Sequence, residues 1–211
     1  MIPKIVHQTW KTPHFEYWVF KRSQISVQEH LANWDYRFWT DDDLEELVRE
    51  AYPQYLEDWA ALNQPIKRVD MARYFLLHRF GGIYADLDFI FKQSLDPLID
   101  GRHRLYFYRS QEAITKGWQF LGNAFMMSAP AEPFWLDLVD FQLSLPANTP
   151  VLHHTGPRSI GAFSEMLEDR SHIRIFGPDE FDNEKCETGV GASRYGHHVR
   201  TATWQHPDFQ A

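Results

Sequence analysis

Blocks of apolar and polar residues alternate along the chain and predict strands that alternate with helices. Residues 66–80 form the clearest helix, since Val69, Ala72, Leu76 and Phe80 recur at helical spacing. Further helices are predicted over residues 15–31, from the Thr40 N-cap to about Glu50, after Pro53, and over 132–145 and 157–168. Strands are predicted at Lys4 to Thr9, Tyr36 to Trp39, Ile83 to Ala85, Arg104 to Tyr108, Ala124 to Ser128 and Ile173 to Phe176.

This order of elements predicts an α/β domain in which helices flank a largely parallel sheet. Gly81 supplies the expected stop for the helix over residues 66–80. The tail after Gly177 is expected to be irregular. Ligands of such sheets collect at the carboxyl ends of the strands. Trp10, Asp86 and Asp88 follow strands at such ends.

Length, composition and net charge limit the size of the domain and the classes of partner that it can bind. The chain has 211 residues, enough for one large domain over residues 1–211, which is either complete or part of a longer protein. Apolar residues make up 44% and aromatic residues 16%, including eight Trp. The formal net charge of −8 argues against a nonspecific nucleic-acid partner, which needs a basic face.

Cysteine content and hydropathy bear on location. Cys186 is the single cysteine, so no internal disulfide forms, and a reducing compartment fits. No stretch approaches the roughly 20 apolar residues of a membrane span, and the N-terminus lacks the apolar region of a signal peptide. We therefore expect a cytoplasmic location, or a domain cut from a longer chain.

Asp86 and Asp88 are the strongest candidates for chemistry. They end the segment Gly-Gly-Ile-Tyr-Ala-Asp-Leu-Asp, and residues two apart in an extended chain point to the same face. Two carboxylates on one face suit Mg²⁺ or Mn²⁺, which also bind phosphate oxygens. A metal of this kind bridges to a diphosphate, so the pattern favours nucleotide-sugar chemistry. A solvated turn after a strand is the plain alternative.

Two further pairs of positions are candidates for binding. Asp70 and Arg73 lie three apart on the clearest helix, either as a surface ion pair or as a partly buried pair that meets sugar and phosphate. Trp10 is either a core residue or a platform for a base. Trp204 lies in a polar tail, where its indole N–H is available to a phosphate.

The sequence leaves two possible roles for each of four histidines. His197 and His198 either belong to a flexible basic tail or complete a metal site begun by the aspartates. His153 and His154 either line the cleft or form a polar loop. The chain contains neither a phosphate-binding loop of the G-x-x-x-x-G-K-[ST] type nor a dinucleotide-binding G-x-G-x-x-G motif.

Taken together, these residues resemble the DXD-containing glycosyltransferases of the sugar-binding-region type. This group includes the yeast initiating α-1,6-mannosyltransferase and bacterial capsule enzymes, with the clostridial glucosylating toxins as distant relatives. The central match runs from Asp70 to Asp88. Outer matches lie at Ile2 to Trp10, Asn33 to Phe38 with Thr40-Asp41, Gly122 to Phe125, Thr155 to Pro157, and His197 to Trp204. The resemblance implies a GT-A fold, a single Rossmann-like domain that holds donor and metal together.

The resemblance also implies a donor site. In such a site Trp10 stacks on the base, Asp70 and Arg73 hold the ribose and hexose, Tyr84 contacts the nucleotide, and Asn123 faces the donor sugar. Arg73 and Asn123, with the two aspartates, are the expected catalytic residues.

For the metal, the resemblance implies that Asp88 binds the ion and that Asp86 reaches both nucleotide and ion. Trp204 touches the β-phosphate. The two histidines are shifted by one position from the family's usual tail, so either His197 or His198 is the ligand, and we favour His198.

The expected activity is metal-dependent transfer of a hexose from a nucleoside-diphosphate sugar to a hydroxyl of a glycan, lipid or protein, with retention of anomeric configuration. The cofactor is Mn²⁺ or Mg²⁺. UDP is slightly favoured over GDP, with UDP-glucose as a donor and polysaccharide biosynthesis as a setting. Two alternatives stay open: a phosphohydrolase of the haloacid dehalogenase type, in which Asp86 is the nucleophile, and a non-catalytic sugar-nucleotide-binding module.

Overall fold

The fold is taken from a computed structural model that describes residues 1–182 and 193–205, apart from the side chains of Asp182 and Trp204. The helices are α1 Trp18–His30, α2 Asp41–Ala51, α3 Leu56–Ala60, α4 Pro65–Phe80, α5 Gln111–Thr115, α6 Phe134–Leu143, α7 Val151–His154 and α8 Pro157–Met166. The strands are β1 Ile5–Thr9, β2 Asp35–Trp39, β3 Gly82–Ala85, β4 Phe89–Phe91, β5 Leu105–Tyr108, β6 Phe125–Ser128, β7 Ile173–Phe176, β8 Phe181–Asp182 and β9 Gly196–His198. Short 3-10 turns cover Pro53–Tyr55, Asp96–Leu98 and Thr203–Gln205.

Six strands form the central sheet in the order β2-β1-β3-β6-β5-β7. Strand β6 is antiparallel to both of its neighbours, and the other pairs are parallel, so five of the six strands run in the same direction. The expectation of a mostly parallel α/β sheet flanked by helices is therefore confirmed. The expectation of a single domain stays a prediction.

Alternating side chains of the central strands build a core on each face of the sheet. Tyr84 and Phe107 point to the face covered by α2, α4, α6 and α8. Ile83, Tyr106 and Phe125 point to the opposite face, which is packed against α1 and strand β4. Because both faces are covered, the central strands are almost entirely apolar.

Helix α4 leads directly into β3 through two glycines. The chain turns at Gly81 and Gly82 with φ of +64° and +88°, values that favour glycine. A Cβ at Gly81 would lie 2.7 Å from the backbone nitrogen of Pro130, and one at Gly82 would lie 2.6 Å from the Ile5 carbonyl oxygen. The tight turn lets α4 pack on the sheet beside the strand that it precedes.

The described part of the tail after Gly177 contains two strands, which corrects the expectation of an irregular tail. Strands β4, β9 and β8 form a second sheet, in which Phe89 pairs with His198 and Phe181 pairs with Gly196. The residues of β9 have little strand propensity, and they form a strand by pairing with the edge of β4. This pairing returns the tail to the end of β3.

Candidate active site

The two aspartates lie in a turn at the carboxyl end of β3. The Phe89 amide donates to the Asp86 carbonyl at 2.9 Å, and the Asp86 amide donates to the Ala124 carbonyl at 2.9 Å. Both aspartates line a cavity of about 660 Å³. The turn thus fixes both carboxylates at the edge of the sheet where ligands are expected.

The tail closes on Asp88. The His198 ring nitrogen Nε2 lies 3.0 Å from Asp88 Oδ1. The Thr201 amide and hydroxyl donate to the other oxygen, Asp88 Oδ2, at 2.8 and 2.7 Å. Burial alone would raise the pKa of Asp88, but the nearby His198 charge, together with hydrogen bonds from His198 and Thr201, holds it well below its ordinary value.

Asp86, Asp88 and His198 form a group suited to a divalent cation. One ligand atom from each lies within 4.8 Å of the others. Two carboxylate oxygens and one imidazole nitrogen are a donor set that fits Mn²⁺ or Mg²⁺. Burial opposes the charged ring of His198, yet Asp88 raises its pKa above the ordinary value, so a cation would take the place of a proton there.

The two neighbouring histidines have opposite environments because they alternate along β9. His198 faces the aspartates. His197 is fully buried, and neither ring nitrogen has a hydrogen-bond partner among the described residues. Burial lowers the pKa of His197 to about 4, so the ring is neutral. This arrangement supports His198 over His197 as the candidate ligand.

Asp70 and Arg73 are buried at the base of the cavity rather than exposed as a surface pair. Arg73 Nη1 lies 3.1 Å from Asp70 Oδ1 and 3.3 Å from Asp86 Oδ1, so one guanidinium joins α4 to the aspartate turn. Asn123 Nδ2 and Thr155 Oγ1 each donate to Asp70 at 3.0 Å. Burial raises the pKa of Asp70 to about 6 despite these partners.

Tyr84, on strand β3, contacts the carboxylate of Asp86. Its hydroxyl donates to Asp86 Oδ1 at 2.8 Å and lies 3.0 Å from Thr9 Oγ1, while its ring lies 4.8 Å from Arg73 Cζ. The side chain is only 1% exposed. Tyr84 therefore orients Asp86, and contact with a nucleotide stays a prediction.

Trp10 lines the same cavity on the other side of the aspartates, because β1 neighbours β3 in the sheet. Its ring packs edge-on against Phe20 with the centroids 4.7 Å apart. The residue is half-buried, so part of its ring faces the cavity. Trp10 therefore lines the cavity, and stacking of a base on its ring stays a prediction.

The structure adds two residues that the sequence did not indicate. Arg200 and Thr201 line the cavity, and Arg200 Nη1 lies 3.5 Å from Glu112. The backbone at Arg200 and Ala202 has φ of 60° and 52°, which is uncommon for residues other than glycine. Nothing in the residue types signals this bend, which presents Thr201 to Asp88.

His153 and His154 form part of α7 rather than a polar loop. His154 is buried and bonds through Nε2 to the Gln142 carbonyl at 3.0 Å. His153 contacts Arg158. Neither ring lines the cavity. Trp204 lies in the 3-10 turn Thr203–Gln205, but its side chain, and with it the expected phosphate contact, lies outside the described part of the chain.

Comparison with known proteins bears directly on this arrangement. Residues 11–105 match the family described as a glycosyltransferase sugar-binding region containing a DXD motif. This segment is similar to the DXD-type glycosyltransferase sugar-binding regions. The resemblance inferred from the sequence is thereby confirmed, and the D-x-D sequence of Asp86 and Asp88 lies within the matched segment.

Two yeast proteins are similar to the chain over about two thirds or more of its length. Inositol phosphoceramide mannosyltransferase 3 from Schizosaccharomyces pombe is 34% identical over 163 residues, which cover 74% of this chain and 43% of that protein. Mannosyl phosphorylinositol ceramide synthase CSH1 from Saccharomyces cerevisiae is 35% identical over 140 residues, which cover 66% of this chain and 35% of that protein. The chain thus spans less than half the length of these relatives.

Solved structures share the fold. The PaToxG glycosyltransferase superposes with a TM-score of 0.59 at 16% identity, covering 77% of this chain and 69% of that one. Mouse xyloside xylosyltransferase 1 in its apo form superposes with a TM-score of 0.54 at 9% identity. The match covers 96% of this chain and 99% of that one. At these identities the likeness establishes a glycosyltransferase-type fold. No helix in the described residues is long and apolar enough to cross a membrane.

Proposed function

We propose that this protein is a metal-dependent glycosyltransferase that moves a hexose from a nucleoside-diphosphate sugar to a hydroxyl acceptor. The observation that carries the proposal is the convergence of Asp86, Asp88 and His198 in a cavity that Trp10 and Arg73 also line. The same cavity therefore presents cation ligands, an aromatic face and a guanidinium. Those are the groups that a diphosphate sugar requires.

Mannose is the hexose that we propose first, because both yeast relatives are named for mannosyl transfer. A glycolipid or glycan hydroxyl is the acceptor class that we propose. The slight preference for UDP over GDP, UDP-glucose as donor and a role in polysaccharide biosynthesis stay predictions from the sequence. A cytoplasmic location also stays a prediction.

The reaction breaks the bond between the anomeric carbon and the diphosphate, and negative charge grows on the leaving group. A divalent cation bound at the aspartates supplies Lewis-acid stabilisation of that charge. Arg73 adds a fixed positive charge at the base of the cavity, held by Asp70 and Asp86. Its orientation is set before substrate binds, because the side chain is buried between two carboxylates.

Asn123 and Asp70 are proposed to position the donor sugar. Asn123 donates to Asp70, so its amide oxygen keeps acceptor capacity toward a sugar hydroxyl. We propose retention of configuration by a front-face route, in which the leaving phosphate takes the proton of the acceptor hydroxyl. That route requires no protein nucleophile on the opposite face of the sugar.

A thermal-shift panel tests donor binding. Nucleoside diphosphates and their sugars are added to the protein with Mn²⁺ or with a chelator. We expect one nucleotide to raise the melting temperature only when the metal is present. At a ligand concentration 100 times its Kd, the stabilisation is about 2.7 kcal/mol.

The outcome of the panel separates the candidate functions. Metal-dependent stabilisation by one base supports the donor site and names the nucleotide. No shift with any nucleotide in the presence of metal would refute it. Hydrolysis of a small phosphoester that is lost in Asp86→Asn would support the phosphohydrolase instead, and donor binding without transfer or hydrolysis would support a binding module.

A further inference from the structure

The two carboxylates of the cavity each present one oxygen to His198 and the other oxygen to hydrogen-bond donors of the protein. His198 Nε2 lies 3.0 Å from Asp88 Oδ1 and 3.9 Å from Asp86 Oδ2. These three atoms are the ligand group that the site offers to a cation. The other two oxygens, Asp88 Oδ2 and Asp86 Oδ1, are contacted by side chains from the tail and from strand β3.

Thr201 occupies the second oxygen of Asp88. Its backbone amide donates to Asp88 Oδ2 at 2.8 Å, and its hydroxyl donates to the same atom at 2.7 Å. A carboxylate oxygen has two lone pairs, so these two bonds use both of them. The Val199 amide also donates to the Asp88 backbone carbonyl at 2.9 Å. The tail therefore fixes the buried carboxylate with Oδ1 toward His198.

Tyr84 and Arg73 occupy the corresponding oxygen of Asp86. The Tyr84 hydroxyl donates to Asp86 Oδ1 at 2.8 Å, and Arg73 Nη1 lies 3.3 Å from the same atom. The tyrosine is held in place, because it is 1% exposed and its hydroxyl also lies 3.0 Å from Thr9 Oγ1. Two donors again contact one oxygen, and the oxygen nearest His198 is the other one.

The backbone on both sides of Thr201 is strained. Arg200 and Ala202 have φ of 60° and 52°, a region that residues other than glycine seldom adopt. Such strain persists only where surrounding contacts determine the conformation, and it is concentrated at functional sites. Here the bonds from Val199 and Thr201 to Asp88 are those contacts. The bend is a backbone feature, and it supports a functional role for the hydroxyl that it places at Asp88.

Divalent cations differ in how they use a carboxylate. Ca²⁺ takes about six to eight oxygen ligands in flexible geometry and often binds both oxygens of one carboxylate. Smaller cations such as Mg²⁺ require a near-octahedral arrangement and complete it with water and substrate phosphates. An imidazole nitrogen is a better ligand for transition metals than for Ca²⁺. One oxygen from each aspartate and one nitrogen therefore suit an octahedral cation and leave Ca²⁺ short of oxygen ligands.

We propose that Thr201 and Tyr84 set the cation selectivity of this site. Each holds one oxygen of a carboxylate, so that only the other oxygen binds a cation and Mn²⁺ is favoured over Ca²⁺. Neither residue is itself a ligand, so both are positioning residues. The selectivity rests on the proposed metal-dependent function, and it names the residues that choose the metal.

Binding of the metal alone measures this selectivity without any transfer reaction. Mn²⁺ is titrated into protein that a chelator has stripped of metal, and free Mn²⁺ is followed by its electron paramagnetic resonance signal. Ca²⁺ is then added as a competitor. The ratio of the Kd for Ca²⁺ to the Kd for Mn²⁺ is compared between variants. We expect the wild type to bind Mn²⁺ more tightly than Ca²⁺.

Thr201→Val removes the hydroxyl but keeps the backbone amide and the side-chain volume. Asp88 Oδ2 then loses one of its two donors, so the carboxylate is less firmly oriented and its second oxygen becomes available. The affinity for Mn²⁺ should fall about tenfold. The affinity for Ca²⁺ should fall less or rise, so the ratio of the two Kd values should decrease. Tyr84→Phe should lower the ratio in the same direction through Asp86, and Thr201→Ser, which keeps the hydroxyl, should retain the wild-type ratio.

Two control variants remove hydroxyls that contact no carboxylate. Thr115→Val removes an exposed hydroxyl that accepts from Gln111 Nε2 at 3.2 Å. Tyr52→Phe removes a buried hydroxyl that lies 2.7 Å from His78 Nδ1. Both controls should keep the wild-type ratio, whatever their effect on the melting temperature. Circular dichroism melts show that each variant is folded.

The outcomes separate selectivity from folding and from the proposed function. A lower ratio in Thr201→Val and Tyr84→Phe, with the wild-type ratio in Thr201→Ser and both controls, supports the proposal. An equal loss of affinity for both cations in Thr201→Val and Tyr84→Phe overturns it, because the hydroxyls then only maintain the structure of the site. Equal affinity of the wild type for Mn²⁺ and Ca²⁺ also overturns it. A wild type that binds neither cation refutes the metal-dependent function itself.

Discussion

Arg73→Met is the substitution that most directly tests how the site is held together. The Arg73 guanidinium lies between two carboxylates. Its Nη1 is 3.1 Å from Asp70 Oδ1 and 3.3 Å from Asp86 Oδ1. Methionine preserves much of the side-chain volume but carries no charge. Both carboxylates then lose the cation between them, and that of Asp70 is buried. Removing one partner of a buried ion pair costs about 3–5 kcal/mol.

The expected loss converts to a large change in melting temperature. For a chain of this size, about 1 kcal/mol corresponds to 2–4 °C. Arg73→Met should therefore melt roughly 6–20 °C below the wild type, measured by circular dichroism at pH 7.5 with a chelator present. Arg102→Met, whose side chain is 83% exposed, should change the melting temperature by no more than about 2 °C.

A second substitution tests the cause of the loss. Asp70→Asn in the Arg73→Met background removes the buried carboxylate that lost its partner, so the double variant should regain a substantial part of the lost stability. A melting temperature for Arg73→Met within 2 °C of the wild type would refute the buried network. So would a double variant less stable than Arg73→Met alone.

Two further predictions concern pH and packing. The folded-state pKa of Asp70, about 6, lies above its unfolded value of 3.8, so the ionised carboxylate opposes folding above pH 6 and this cost fades as the pH falls toward 4. The stability of Asp70→Asn relative to the wild type should thus be more favourable at pH 7.5 than in melts at pH 4.5, by at most about 3 kcal/mol; a stability difference independent of pH would contradict the shift. Gly161→Ala should destabilise by about 1–3 kcal/mol in urea unfolding, because its Cβ would lie 2.5 Å from the Gln119 backbone carbon. Gly177→Ala, where a Cβ would meet nothing within 4 Å, is the control, and equal effects would show that the close approach is not real.

The sequence predicts the elements whose apolar residues repeat regularly. Helix α4 was expected over residues 66–80 and spans Pro65–Phe80, and the strand before the aspartates was expected at Ile83 to Ala85 and spans Gly82–Ala85. Helix α2 begins after Thr40, where the capping box supports the predicted start. In these segments, local propensity and burial favour the same structure.

The second sheet was not predictable in the same way. Strand β9 has three residues, Gly196–His198, and no alternation of apolar and polar side chains. It forms by pairing with Phe89–Phe91, more than 100 residues earlier in the chain. Such pairing depends on which strand edge is available in the folded protein, and a pattern in one segment does not record that.

For the site, the motif residues were predicted and their partners were not. The spacing of Asp86 and Asp88 indicates a metal, and His198 was favoured from the sequence. The bridge from Arg73 to Asp86 and the hydrogen bonds from Thr201 to Asp88 arise from tertiary packing and a bent backbone. Residue types alone did not distinguish Thr201 from its neighbours.

Cleavage of the donor tests the central claim most directly. The wild type and Asp88→Asn are incubated with the nucleotide sugar selected by the thermal-shift panel, with Mn²⁺ or a chelator, and release of the nucleoside diphosphate is followed by proton NMR. The NMR spectrum also reports the anomeric configuration of any transferred sugar. We predict release that requires the metal and that Asp88→Asn lowers at least about 100-fold, with an unchanged circular dichroism spectrum. Undiminished release in Asp88→Asn, or equal release with chelator, would contradict a metal-dependent transferase built on the DXD aspartates.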